Sequence, residues 1–112
     1  MTPEAIVQAQ LDAYNARDAE RFVALFAPAV EVFRPPAVEP VIRGIDALRT
    51  FYENERFSKP LLHAELMHRA VLGNRVVDHE RISGVRTTPF ELVVVFEVSG
   101  GLIARMWSFS AD

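Results

Sequence analysis

The stretch YNARDAERFVALFAPAVEVF, residues 14–33, decides the fold. It reads as the end of one amphipathic helix, a sharp corner over residues 15–17, a second short helix and then a strand. Upstream, Thr2 is placed as an N-cap, with Pro3 at the first helical position and Glu4 in the first turn. Ile6, Ala9, Gln10, Ala13 and Tyr14 recur at helical spacing and form one face. Asp18 is placed to cap the second helix. Phe22, Leu25 and Phe26 give that helix a core face, and Pro28 is expected to end it. Residues 30–34 follow as a short strand.

Further along, residues 35–43 carry three prolines and are expected to form a loop along a rim. A third helix starting near Gly44 shows an apolar stripe of Ile45, Leu48, Phe51 and Tyr52, and Lys59 and Pro60 close the connection after it. The remainder reads as strand. Residues 61–72 and 75–83 meet across Gly73 and Asn74, and residues 90–99 and 102–110 meet across Gly100 and Gly101. This order predicts an α+β fold in which one curved sheet packs on three N-terminal helices. Residues 1–112 are expected to form a single domain. A sheet bent against helices leaves a hollow at its open end, where function would sit.

Half of the residues are hydrophobic, more than one small core needs, and the surplus implies a lined cavity, an oligomer interface or both. Twelve basic against fifteen acidic side chains give a net charge of -3, which excludes a phosphate backbone as the expected partner. Without cysteine there is no disulfide framework, thiolate metal site or cysteine nucleophile. The N-terminal segment MTPEAIVQAQ lacks the basic and apolar regions of a signal peptide, and no window has the length of a membrane span. The expectation is a soluble, cytoplasmic protein with no membrane partner.

Regular pairing across Gly100 and Gly101 sets Val94 opposite Trp107. Side chains alternate across a sheet. Val94, Phe96 and Val98 then share a face with Ile103, Arg105 and Trp107. Val93, Val95 and Glu97 share the other with Leu102, Ala104 and Met106. Both faces are largely apolar, so one is expected to cover the helices. The other, with Val93, Val95, Ala104 and Met106, is expected to meet a second copy in a homodimer.

The sharpest polar cluster is Asp78-His79-Glu80-Arg81. On a strand, Asp78 and Glu80 face one way with Val76 and Ile82, whereas His79 and Arg81 face the other. Carboxylates inside an apolar cone have raised pKa values and can act as acid and base. The alternative is an interior ion pair of Asp78 or Glu80 with Arg105. Tyr14 lies one turn after Gln10 and can donate a hydrogen bond into the hollow, together with Tyr52, or simply fill the core. Arg34, beside the proline-rich rim, can hold a carboxylate or enolate oxygen of a ligand or pair with Glu39. Trp107 is a pocket wall or a core residue.

His63, Glu65 and Met67 share one face of their strand while His68 lies opposite, so no metal site is expected there. No glycine-rich phosphate loop or nucleophile elbow is present, and no cofactor is expected.

LDAYNARD, FVALFAPAVEVF, RGIDALRTFYEN, LGNRVVDHERISG and FEVSGGLIARMW together resemble the nuclear transport factor 2-like superfamily, in its SnoaL-like branch. The resemblance covers essentially the whole chain. It implies a cone-shaped α+β half-barrel of mostly antiparallel strands with a deep apolar pocket, inward-facing Asp78 and Glu80, and dimers through the outer sheet face. The branch is similar to steroid Δ-isomerases, which use an aspartate base and an oxyanion hole of a tyrosine and a protonated aspartic acid. Here Gln10 stands at the place of that tyrosine, Arg34 at the base and Val94 at the protonated aspartic acid, while Tyr52 matches a supporting tyrosine. The resemblance therefore carries the scaffold without the steroid-isomerase mechanism.

The functional expectation is a pocket for a small apolar molecule, with proton transfer of isomerase, cyclase or dehydratase type at Asp78, His79 or Glu80. Gln10, Tyr14, Arg34, Tyr52, Val94, Phe96, Arg105 and Trp107 would line the pocket. The alternatives are a non-catalytic binder, or a dimeric interaction domain whose cone is filled by Phe26, Phe33, Phe96 and Trp107. An inward, unpaired carboxylate at the cavity favours the enzyme, and fully paired interior charges favour the binder.

Overall fold

The computed structural model describes residues 1–111. Its elements are α1 (Pro3–Asn15), α2 (Ala19–Val23), β1 (Phe26–Phe33), β2 (Ile42–Arg43), α3 (Ile45–Tyr52), a π-helical turn (Glu53–Phe57), β3 (His63–Leu72), β4 (Arg75–Ser83), β5 (Phe90–Ser99) and β6 (Leu102–Ser110). The strands form one open sheet in the order β2-β1-β6-β5-β4-β3. Every pairing is antiparallel except β1 with β6, which is parallel. The helices cover one face, and between them and the sheet lies a core that includes Ile6, Val7, Phe22, Val30, Leu48 and Ile103. No helix among the described residues is long and apolar enough to cross a membrane.

Local chemistry explains the helix boundaries. The Thr2 hydroxyl accepts from the Ala5 N–H at 3.1 Å, and the Asp18 carboxylate accepts from the Arg21 N–H at the same distance. Arg17 turns the corner between them with φ 53°. The Asn15 side chain then docks the edge strand: it accepts from the Ala64 N–H at 2.8 Å and donates to the Ala64 carbonyl at 3.0 Å. At the far end of β4, Gly84 lies so close to the Leu61 carbonyl that a Cβ would meet its oxygen at 2.1 Å.

The second helix is shorter than its apolar spacing predicts. Phe26 already opens β1 and Pro28 lies inside that strand. Pro28 is tolerated because β2 covers only Glu31 and Val32 on that side, and the β1–β6 register is irregular between Phe26 and Glu31, so no ladder bond is required of it. Residues 42–43, expected in the loop, form the short β2.

A β-bulge makes the largest difference from the expected faces. Val98 pairs with Ile103, but Glu97 pairs with Arg105, leaving Ala104 as an extra residue in β6. Past this point every side chain of β6 is reversed relative to regular pairing. Met106, expected on the outer face, is buried inside opposite Phe96. Arg105 and Trp107, expected inside, lie on the outer face. There Trp107 stacks on Phe33 at 5.5 Å, and Arg105 reaches Glu31 at 3.5 Å and Glu97 at 3.8 Å. Phe33 and Trp107 therefore do not fill the cone. A second bulge at Met67 in β3 puts His68 opposite His79 on the same outer face as Glu65.

Candidate functional site

The open end of the cone holds a cavity of about 420 Å³, within the range of small-molecule sites. α1 contributes Gln10 and Tyr14, α3 contributes Phe51 and Tyr52, and the end of β1 contributes Arg34. The sheet floor includes Val32, Glu80, Leu92, Val94, Phe96 and Met106, and Arg56 and Arg86 also line the cavity. Of the residues expected at the pocket, Gln10, Tyr14, Arg34, Tyr52, Val94 and Phe96 thus lie on it with Glu80, whereas Arg105 and Trp107 do not.

Strand alternation on β4 sends both Asp78 and Glu80 inward, and their surroundings separate them. Asp78 is fully buried and held by both arms of Arg69: Nε donates to Oδ1 at 2.7 Å and Nη2 to Oδ2 at 2.9 Å. Arg69 Nη1 also donates to Gln8 Oε1 at 2.8 Å, which ties α1 to the sheet. The interior ion pair expected with Arg105 is therefore made by Arg69, which approaches from β3.

Glu80 is 6% exposed and has no hydrogen bond or ion pair with any other described residue. Its cross-strand neighbours are Leu66 on one side and Leu92 on the other. Burial, and then the Asp78 carboxylate nearby, push its pKa up to about 7, against the opposing pull of Arg69. Near neutral pH this side chain can both take and give a proton.

Two phenols stand across the hollow from it. Tyr14 and Tyr52 pack edge to face at 6.2 Å within an aromatic cluster that also holds Phe22 and Phe57. Burial, and then Tyr52, raise the Tyr14 pKa above its ordinary value, with Arg56 beside it pulling the other way. Burial pushes Tyr52 up to about 12, against the guanidinium groups of Arg56 and Arg34. Both phenols keep their protons and can donate. Gln10 is 5% exposed, and its Oε1 is a buried acceptor without a partner among the described residues.

His79, the third catalytic candidate, lies on the outer face, where Nε2 sits 2.6 Å from Glu91 Oε1 and the ring stacks on His68 at 5.7 Å. Its odd parity beside two inward acids puts it there. Among the described residues no cluster of His, Asp and Glu could hold a metal ion.

Sequence reasoning missed Arg69, Arg56 and Met106. Arg69 was legible, since counting back across the Gly73-Asn74 turn sets it directly opposite Asp78. Met106 was hidden by the bulge at Ala104. Arg56 sits in the π-helical turn, where a helical wheel drawn from α3 no longer applies.

Residues 7–106 match the family model of the SnoaL-like domain. No curated protein matches the sequence. Among solved structures, the chain is similar to an uncharacterized cystatin-fold protein from Novosphingobium aromaticivorans. Identity is 21%, the TM-score is 0.88, and the match covers 96% of this chain and 97% of that one. It is also similar to a candidate ketosteroid isomerase from Kribbella flavida (21% identity, TM-score 0.82, 98% of this chain and 78% of that one). A candidate polyketide cyclase from Sinorhizobium meliloti matches at 24% identity with a TM-score of 0.78, over 93% of each chain. At these identities the likeness carries the fold.

Proposed function

The chain belongs to the SnoaL-like domain family, and from that premise we propose that it is a proton-transfer enzyme, of isomerase, cyclase or dehydratase type, acting on a small and largely apolar carbonyl compound. The observation that carries this reading is Glu80. It is a carboxyl group walled by leucines, open to the cavity, without a partner among the described residues and titrating near neutrality. A protein that only bound its ligand would have no use for an unpaired interior acid, which costs folding free energy.

In the proposed step the Glu80 carboxylate takes a proton from the carbon beside the carbonyl. The C–H bond breaks, an O–H bond forms on Glu80, and the electron pair moves through a new C–C double bond onto the carbonyl oxygen. The Tyr14 and Tyr52 phenols donate hydrogen bonds to that oxygen as its charge grows. Protonated Glu80 then returns the proton to the same carbon or, where a second double bond is conjugated with the first, to the far end of the dienolate, which moves the double bond and restores the carboxylate. Gln10 Oε1 accepts from a hydroxyl of the ligand. The base thus comes from β4, while Gln10, Arg34 and Val94 occupy positions where a steroid isomerase has its catalytic groups.

Exchange of the α-protons of 2-tetralone for deuterium in D₂O, followed by proton NMR, tests this reading. Wild-type protein should accelerate the exchange, and Glu80→Gln should lower the acceleration by about a hundredfold or more. Equal exchange in the two proteins would remove Glu80 from the mechanism.

We also propose a homodimer through the outer sheet face. Its centre is the stacked Phe33–Trp107 pair with Val93 and Val95. Arg105, Glu31, Glu97 and Arg75 border it on one side, and His79, Glu91 and Arg81 on the other. An aromatic centre inside a charged rim is the composition of an interface core. Met106 drops out of the face expected from regular pairing, and Trp107 takes its place.

A further inference from the structure

Arg34 and Arg56 both stand over the ring of Phe51, with their guanidinium carbons 4.9 Å and 5.4 Å from its centroid, and both line the cavity. Arg43, Arg49, Arg69, Arg75, Arg81 and Arg105 each reach a carboxylate. Neither Arg34 nor Arg56 forms an ion pair with a described residue. Two like charges gathered on one aromatic ring at a cavity wall repel each other and attract an anion. Among the described residues Glu80 is the only acidic side chain that lines the cavity, and it belongs to the sheet floor.

We propose that the substrate is an oxo acid: an apolar body whose reacting carbonyl enters toward Glu80 and whose remote carboxylate is held by Arg34 and Arg56 over Phe51. The inference rests on the proton-transfer reading for the carbonyl end and on the two arginines for the carboxylate end. The planar fork of a guanidinium matches the two oxygens of a carboxylate. Phe51 limits where each guanidinium can lie, so less conformational freedom is lost on binding. The paired charge at the rim also keeps a negative substrate from opposing ionisation of Glu80 at the floor. Binding free energy gained at this remote end positions the carbon–hydrogen bond at the other.

The probes are ω-phenylalkanoates with chains of increasing length, each beside its neutral primary amide, titrated into ¹⁵N-labelled protein. At least one carboxylate should bind at the cavity tenfold or more tighter than its amide. Arg34→Gln and Arg56→Gln should each bring that ratio below threefold. The proposal is overturned if amides bind as well as acids, if the preference survives both substitutions, or if no carboxylate saturates the site. Deuterium exchange into 4-oxo-4-phenylbutanoate separates the two readings. A carboxylate preference without exchange sinks proton transfer and leaves anion recognition standing, whereas exchange without the preference does the reverse.

Discussion

Asp78 and Glu80 lie two residues apart on one strand and face the same interior, yet among the described residues only Asp78 has a counter-ion. The bidentate contact from Arg69 holds Asp78 in place as a structural group. Its charge in turn makes ionisation of Glu80 more costly, adding to the effect of burial. One acid thereby sets the working range of the other, and the pair separates into a positioning residue and a candidate base.

Stability should report the Glu80 environment directly. Its carboxyl titrates near 4.5 in the unfolded chain and near 7 in the folded one, so between those values the folded state holds more protons. The contribution of Glu80 to stability is therefore greatest below pH 4.5 and falls as pH rises through 7. Glu80→Gln removes this loss. Relative to wild type, the variant should gain on the order of 3 kcal/mol between pH 4.5 and pH 8 in urea melts. A constant difference across that interval would mean that Glu80 titrates normally.

For the reaction, the same group predicts a rate that rises with pH and levels off above about 7. Asp78→Asn removes a neighbouring negative charge and leaves Arg69 unpaired, and both changes favour ionised Glu80. The rising limb of kcat/KM should move to lower pH in that variant, as a stopped-flow or NMR rate profile would show. An unmoved limb would deny Asp78 its positioning role.

Removing the other partner should be costly. Arg69→Met leaves the fully buried Asp78 carboxylate without a counter-ion and breaks the bridge to Gln8, for an expected loss of about 3–5 kcal/mol. Replacing both residues with apolar side chains, as in Arg69→Met with Asp78→Leu, should recover most of it. Chemical denaturation of the two variants checks the pair, and equal stability of the single and double changes would contradict it.

The bulge in β6 can be tested by deletion. Removing Ala104 deletes the extra residue and leaves Arg105, Met106 and Trp107 opposite Glu97, Phe96 and Val95 in regular alternation, so Met106 stays in the cavity floor and Trp107 stays outside. Tryptophan emission of the shortened chain should match that of wild type. A shift of the emission to the blue, with Trp107 turned inward, would show that Ala104 is not the extra residue.

Trp107 also anchors the proposed dimer. Light scattering should give twice the chain mass for wild type and the single-chain mass for Trp107→Glu, with the circular dichroism spectrum retained. A wild-type monomer at micromolar concentration would end the dimer proposal.

The element order was legible because its signals are local. Capping residues at Thr2 and Asp18, the helical spacing through Tyr14 and the two glycine-containing turns each act within a few residues. Strand alternation showed that Asp78 and Glu80 share a face, but their inward direction came from the family resemblance, which also placed Gln10, Tyr52 and Val94 near the pocket that they line with Tyr14 and Phe96. Arg105, Trp107 and Met106 came out on the wrong faces because one inserted residue changes parity, and nothing local marks Ala104 as that residue. The bulge forms where β6 must satisfy β5 on one side and β1 on the other, and the register irregularity in β1 lies at the same level. Long-range pairing decides such a position. Arg56 escaped notice because the backbone widens after Tyr52.

The parallel pairing of β1 with β6 sets Val32 beside Met106 in the cavity floor. About two thirds of the chain lies between these two neighbours, so their meeting closes a long loop. During synthesis, helices and early hairpins can assemble on the ribosome while the binding chamber still lacks part of its base. The chamber is finished only after the last strand has emerged, and a truncated chain keeps a scaffold without a place for its guest.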